Sequence, residues 1–128
     1  MRTVRHGAPI YTTSVRWESA VLSPAPVPFS VETRPVRDRV LVAPIGEIDF
    51  ATAPMVHEAV AELREVGWPR IVLDLRAVTF IDSSGTHLIQ SLLDAAEDQR
   101  FELAIAEGPP CVMRVLELTG LSRRLARC

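Results

Sequence analysis

Ile71-Val72-Leu73-Asp74-Leu75-Arg76-Ala77-Val78-Thr79-Phe80-Ile81-Asp82-Ser83-Ser84-Gly85 is the stretch on which the fold turns. Its opening, Ile71–Leu75, is a short and nearly continuous apolar run rich in β-branched residues, as in a strand covered on both faces. Helical patterns flank it. Upstream, Met55, Val56, Ala59, Val60 and Leu63 recur at helical spacing, and downstream Leu88, Ile89, Leu92, Leu93 and Ala96 do the same. A strand between two such helices predicts parallel crossovers within one sheet.

The first helix carries its own punctuation. Thr52 suits the N-cap and Pro54 the first turn, where a missing N–H costs nothing. Gly67 suits a left-handed C′ position, with Trp68 folding back on Leu63 and Pro69 blocking continuation. Before this helix, Phe29, Val31 and Thr33 alternate with Ser30, Glu32 and Arg34, as in a half-buried strand. Arg37-Asp38-Arg39 reads as a polar turn, and Val40–Ile45 as a second strand in a hairpin with the first. Pro44, lacking a ladder donor, predicts a bulge or an edge position there. After the second helix, Phe101, Leu103 and Ile105 alternate as a strand. Pro109-Pro110 then opens a third helix, with Val112, Met113, Val115 and Leu116 inward and Gly120 and Leu121 at its close. The order is β-β-α-β-α-β-α, an α/β chain with one mixed sheet.

At 128 residues the chain suffices for one domain. Residues 1–28 stand apart. They hold Pro9, Pro24, Pro26 and Pro28 without a sustained apolar period, and read as a flexible extension with a short strand near Ile10–Val15 and a linker at Ser23–Pro28. The domain proper spans 29–128.

Composition narrows the function. The chain is 48% apolar and 23% charged with a formal net charge of −2, which argues for a globular core and against a nucleic-acid-binding face. No apolar run approaches the length of about 18 residues that a membrane helix needs, and no secretory leader is visible, so a cytoplasmic location is expected. Cys111 and Cys128 lack metal or redox spacing and read as free thiols. His57 and Glu58 have no further ligand one turn on, where Ala61 stands, so no metal is expected. No glycine-rich phosphate loop occurs, and Ser83 lies outside any Gly-x-Ser-x-Gly context, which argues against a hydrolase. Neither an enzyme nor a cofactor is indicated.

Asp82-Ser83-Ser84-Gly85 falls where a strand gives way to a helix. Unpaired backbone N–H groups and about half a positive charge collect at such a start and favour an anion. A phosphate on the first hydroxyl, Ser83, would meet those donors. Gly85 would let another surface approach the backbone closely. The same residues also make a plain N-cap, and spacing alone does not name a phosphosite.

From Phe29 to about Leu121 the chain resembles the anti-sigma factor antagonist family, the STAS-domain proteins of bacteria. The resemblance rests on Gly46-Glu47-Ile48-Asp49, Val72-Leu73-Asp74-Leu75, Phe80-Ile81-Asp82-Ser83-Ser84-Gly85 and Glu117-Leu118-Thr119-Gly120-Leu121. It implies a STAS-like sheet with helices packed mainly on one face, and partner switching. On that implication the unphosphorylated protein binds an anti-sigma factor that is also a serine kinase, and so frees a sigma factor. Phosphorylation at Ser83 ends the complex, and a serine phosphatase resets it. The implied docking surface comprises Asp49, Asp82, Ser83, Ser84, Gly85, Thr86 and His87. An alternative is a STAS module of another signalling or lipid-transport complex in which Ser83 is not a switch. Two departures stand out. Thr86-His87 follows the motif where the family commonly has an aliphatic residue first, and a charged His87 is favoured beside a phosphate. Beyond Leu121 only seven residues remain, short of the further strand and helix usual in the family, which would leave apolar surface uncovered.

Overall fold

A computed structural model of the chain describes residues 4–6 and 28–127. Strands β1 (Val4–His6), β2 (Ser30–Val36) and β3 (Arg39–Ile48) are followed by helix α1 (Ala53–Val66), β4 (Arg70–Asp74) and β5 (Val78–Ile81). Helix α2 (Ser83–Gln99), β6 (Glu102–Ala106), α3 (Pro110–Leu118), a 3-10 turn at Leu121–Arg123 and β7 (Ala126–Arg127) complete the chain. The sheet runs β1-β2-β3-β4-β6-β7, with β5 paired to β3. β1, β2 and β3 are antiparallel neighbours, whereas β3–β4, β4–β6 and β6–β7 are parallel. The expected mixed sheet with helical crossovers is therefore present.

Register explains why the helices favour one face. Val42, Leu73 and Ile105 stand side by side across β3, β4 and β6 and are fully buried in the core. One residue earlier, Leu41, Val72 and Ala104 stand side by side on the opposite face, and Val72 is buried outside that core. β4 is thus covered on both faces, as its run of apolar residues predicts. The single-sided alternation of β2 and β6 reflects helices on one side only. Helices α1 and α2 pack against one another there, while α3 packs by β5.

The ends of α1 follow the sequence. Gly67 adopts φ 103° and donates to the Arg64 carbonyl, and the Trp68 amide donates to the Leu63 carbonyl at 3.3 Å. That pairing is the Schellman closure expected of Gly-Trp.

Four expectations change. Val78–Ile81 is a strand of its own, although only Val78 and Ile81 are buried and the pattern does not alternate. Pro44 sits on a central strand, not an edge. β3 pairs with β4 only through Arg39–Val42 and with β5 only from Gly46, so Pro44 falls in the gap where no parallel ladder needs its donor. The irregularity comes just after it, at Gly46/Glu47, where Gly46 takes φ 115°. The third change is at the N-terminus: Val4–His6, inside the expected extension, pairs with β2, while the strand expected near Ile10–Val15 and the linker to 27 lie outside the described residues. The fourth lies past Leu121. Leu125 is buried in the core and Ala126–Arg127 pair in parallel with β6, so these last residues supply an edge strand.

Candidate functional site

The site is built from two helix starts that lie side by side. At the start of α2, Asp82 is the N-cap in extended conformation, and its Oδ1 accepts from the Ser84 amide at 2.8 Å and the Gly85 amide at 3.2 Å. The Thr86 amide donates to the Asp82 carbonyl at 3.0 Å, and the Thr86 hydroxyl to the Ser83 carbonyl at 2.9 Å. Capping therefore falls to Asp82 alone. Ser83, the first residue of the helix, is exposed, and its hydroxyl makes no hydrogen bond among the described residues.

Two of the amides expected to receive a phosphate are thus already satisfied by a carboxylate. Gly85 also acts differently from expectation. It is buried, and a Cβ placed there would lie 2.3 Å from Ile81 Cγ1 and 3.1 Å from Ile48 Cγ2. Its lack of a side chain lets the first turn of α2 settle on β5 and the end of β3. It serves internal packing.

At the start of α1 the polar groups are turned inward on their own loop. Asp49 Oδ1 accepts from the Ala51 and Thr52 amides, each at 3.0 Å. Thr52 occupies the N-cap position without capping forward; its hydroxyl lies 2.7 Å from the Glu47 carbonyl and accepts from the Asp49 amide at 2.8 Å. Asp49 is half-buried, within a hollow it shares with Phe29, Thr52 and Thr79.

Between the two starts opens a cleft of about 600 Å³ lined by Phe50, His57, Ser83, Ser84, His87 and Ser91, with Ala53, Pro54 and Leu88 forming its floor and sides. Of the residues expected at the docking surface, Ser83, Ser84 and His87 meet in this cleft; Asp49, Asp82, Gly85 and Thr86 do not line it. Phe50 and His57 complete it and were not anticipated. Phe50 is 84% exposed, a large apolar side chain with no internal packing role. The sequence offered one hint: an aromatic ring between Asp49 and Thr52, inside a turn, outside every apolar period.

Among the described residues no group of three or more His, Cys, Asp or Glu is placed to hold a metal, and no helix is long and apolar enough to cross a membrane. Cys111 is a free, exposed thiol. The carboxylate whose ionisation shifts lies elsewhere. Arg76 grips Asp74 with Nε to Oδ1 at 2.9 Å and Nη2 to Oδ2 at 2.8 Å, which holds the Asp74 carboxyl below its ordinary value against the opposing effect of burial.

This fold and this helix start can be set against known proteins. The model of the STAS domain family matches residues 30–127, and the chain belongs to that family. It is 33% identical over 76 residues to the anti-sigma-B factor antagonist of Staphylococcus aureus, covering 59% of this chain and 70% of that protein. It is 30% identical over 94 residues to the anti-sigma F factor antagonist of Paenibacillus polymyxa, covering 73% of this chain and 80% of that one. The crystal structure of an anti-sigma factor antagonist from Mycobacterium paratuberculosis matches with a TM-score of 0.67 at 25% identity, over 77% of this chain and 84% of that one. The resemblance drawn from the Asp82–Gly85 motif and its upstream partners is borne out, as is the fold class. These relatives are named as regulators, not as enzymes.

Proposed function

We propose that this protein is an anti-sigma factor antagonist whose binding to an anti-sigma factor serine kinase is switched off by phosphorylation of Ser83. The observation that carries the reading is the state of Ser83: exposed at the rim of a cleft, with its hydroxyl unbonded while Asp82 does the capping. A kinase can take such a hydroxyl without breaking the helix start. Exposed Phe50 beside it supplies the apolar anchor that interfaces concentrate near their centre. The naming of its relatives as antagonists of anti-sigma factors supports the choice of partner.

The switch needs no large rearrangement. In the kinase reaction the Ser83 Oγ–P bond forms as the bond from the γ-phosphorus of ATP to its bridging oxygen breaks; the hydroxyl proton leaves to the kinase and ADP departs. About −1.5 to −2 charges then stand beside Asp82 on a surface a partner would bury. Desolvating that charge at an interface centre lowers affinity about a hundredfold or more. A serine phosphatase would restore the free hydroxyl.

The test uses the cognate kinase with ATP and mass spectrometry of the product. Phosphate at Ser83, absent from Ser83→Ala, with loss of the complex on modification, is the expected result. A complex that survives ATP unchanged would point instead to a STAS module in which Ser83 is not a switch.

A further inference from the structure

We infer that the phosphoryl group on Ser83 is received by two histidines, His57 and His87, one from each wall of the cleft between α1 and α2. The inference rests on the reading of Ser83 as the modified residue. It begins from what the helix start cannot do. The Ser84 and Gly85 amides are taken by Asp82 Oδ1 and the Asp82 amide by the Ile48 carbonyl, so of the donors that ordinarily hold an anion at a helix start only the Ser83 amide is left. One amide does not balance a phosphate, and the rest of its counter-charge must come from side chains.

The composition leaves few choices. All 14 basic residues counted as Lys+Arg are arginines, and none among the described residues lines the cleft. The chain has 3 histidines, and two of them, His57 from α1 and His87 from α2, line the same cleft as Ser83. Among the described residues no carboxylate lines it. Both histidines are exposed, so each is free to turn toward a new anion.

The charged groups on the surrounding elements are directed elsewhere. On α1, Glu58, Glu62, Arg64 and Glu65 do not line the cleft, and Arg64 sits 4.4 Å over the Phe101 ring. On α2, Asp94 and Glu97 engage Arg124 at 3.1 Å, and Asp98 lies a further turn away from the cleft. Asp49 is held in its own turn and Asp82 in the cap. Two imidazoles therefore face the phosphate without competing carboxylates in the cleft. An imidazole and a phosphoserine both change charge near neutral pH, so each stabilises the charged form of the other.

The clamp adds a second component to the switch. A phosphate drawn between His57 and His87 occupies part of the cleft that a partner side chain would enter, so blocking accompanies repulsion. The pairing also shields the phosphate from a phosphatase.

The test places phosphoserine at position 83 during synthesis of the full chain, so that no kinase is needed. Proton and phosphorus NMR then follow the histidines and the phosphate through pH 5 to 8.5. The expected result is that the titration midpoints of His57 and His87 both rise by about half a pH unit or more over the unmodified chain, while that of the phosphate falls. His6, the third histidine, is followed alongside them for comparison. His57→Gln and His87→Gln each return the phosphate midpoint part of the way. Equal histidine midpoints in the two forms would overturn the clamp, and so would movement of His87 alone. Shifted midpoints in a chain that its kinase never modifies would uphold the clamp and sink the phosphorylation reading, so the two claims fail separately.

Discussion

The two helix starts that flank the cleft use the same chemical groups to opposite ends. At α1 an aspartate and a hydroxyl bind each other's loop: Asp49 Oδ1 takes the Ala51 and Thr52 amides, and the Thr52 hydroxyl is pinned to the Glu47 carbonyl. At α2 the aspartate stands immediately before the helix and caps it outright, which leaves the next hydroxyl with nothing to do. The Ser83 hydroxyl stays unbonded here because its neighbour does the capping. The difference lies in spacing, Asp-x-x-Thr against Asp-Ser.

The largest test of that contrast is the residue that seats α2. Gly85→Ala forces a Cβ to within 2.3 Å of Ile81 Cγ1, and β5 or the helix must move. Such overpacking costs about 1–3 kcal/mol, read from urea unfolding, and displaces Ser83 with the first turn. An unchanged unfolding midpoint would mean that the helix start is looser than its contacts imply. Next comes the cap. Asp82→Ala removes both side-chain bonds to the first turn and costs about 1 kcal/mol. It also frees the Ser84 and Gly85 amides, so a phosphate on Ser83 would then bind the backbone and depend less on His57 and His87. Thr52→Ala probes the other side. Its half-buried hydroxyl has partners at 2.7 and 2.8 Å, and their loss costs about 1 kcal/mol at most.

How far the sequence reached follows from the range over which each signal acts. The closure of α1 at Gly67-Trp68 and the inward face of α2 are local, and both were legible from a few neighbouring residues. β5 was not, because its four residues pair with β3 across a bulge and bury only Val78 and Ile81, which breaks the alternation a reader looks for. Gly85 was visible as a glycine but not as a packing device, since its neighbours Ile48 and Ile81 come from separate strands. The cleft was hidden for the same reason. Phe50 and His57 meet Ser83 and His87 only because α1 and α2 start side by side. His57, judged by its own helix, offers only a metal reading that lacks a further ligand one turn on.

A further contrast sets these starts against Asp74, whose carboxylate serves stability. Arg76 holds the Asp74 carboxyl below its ordinary value of 3.8, so the folded state binds that proton less readily than the unfolded chain. Its contribution is present above the unfolded value and is lost as pH falls through the lowered one. Acid unfolding followed by circular dichroism is therefore expected to lose part of its dependence below about pH 4 in Arg76→Ala, with the cleft histidines unaffected. No change in that acid limb would count against the Asp74–Arg76 pair.

The smallest expected effect is the most telling. Ser83→Ala removes a hydroxyl that bonds to no described residue, from an exposed position at which alanine favours the helix. Its unfolding free energy should stay within about 0.5 kcal/mol of the parent, well under the loss in Thr52→Ala. Partner binding should persist in the same variant, and persist in the presence of ATP. A destabilisation matching that of Thr52→Ala would mean that Ser83 shares the capping with Asp82, and the division of labour between the two residues would fail. Stability and binding retained together would instead show that the fold has no use for this hydroxyl, which is the condition a site must meet if its only task is to be modified.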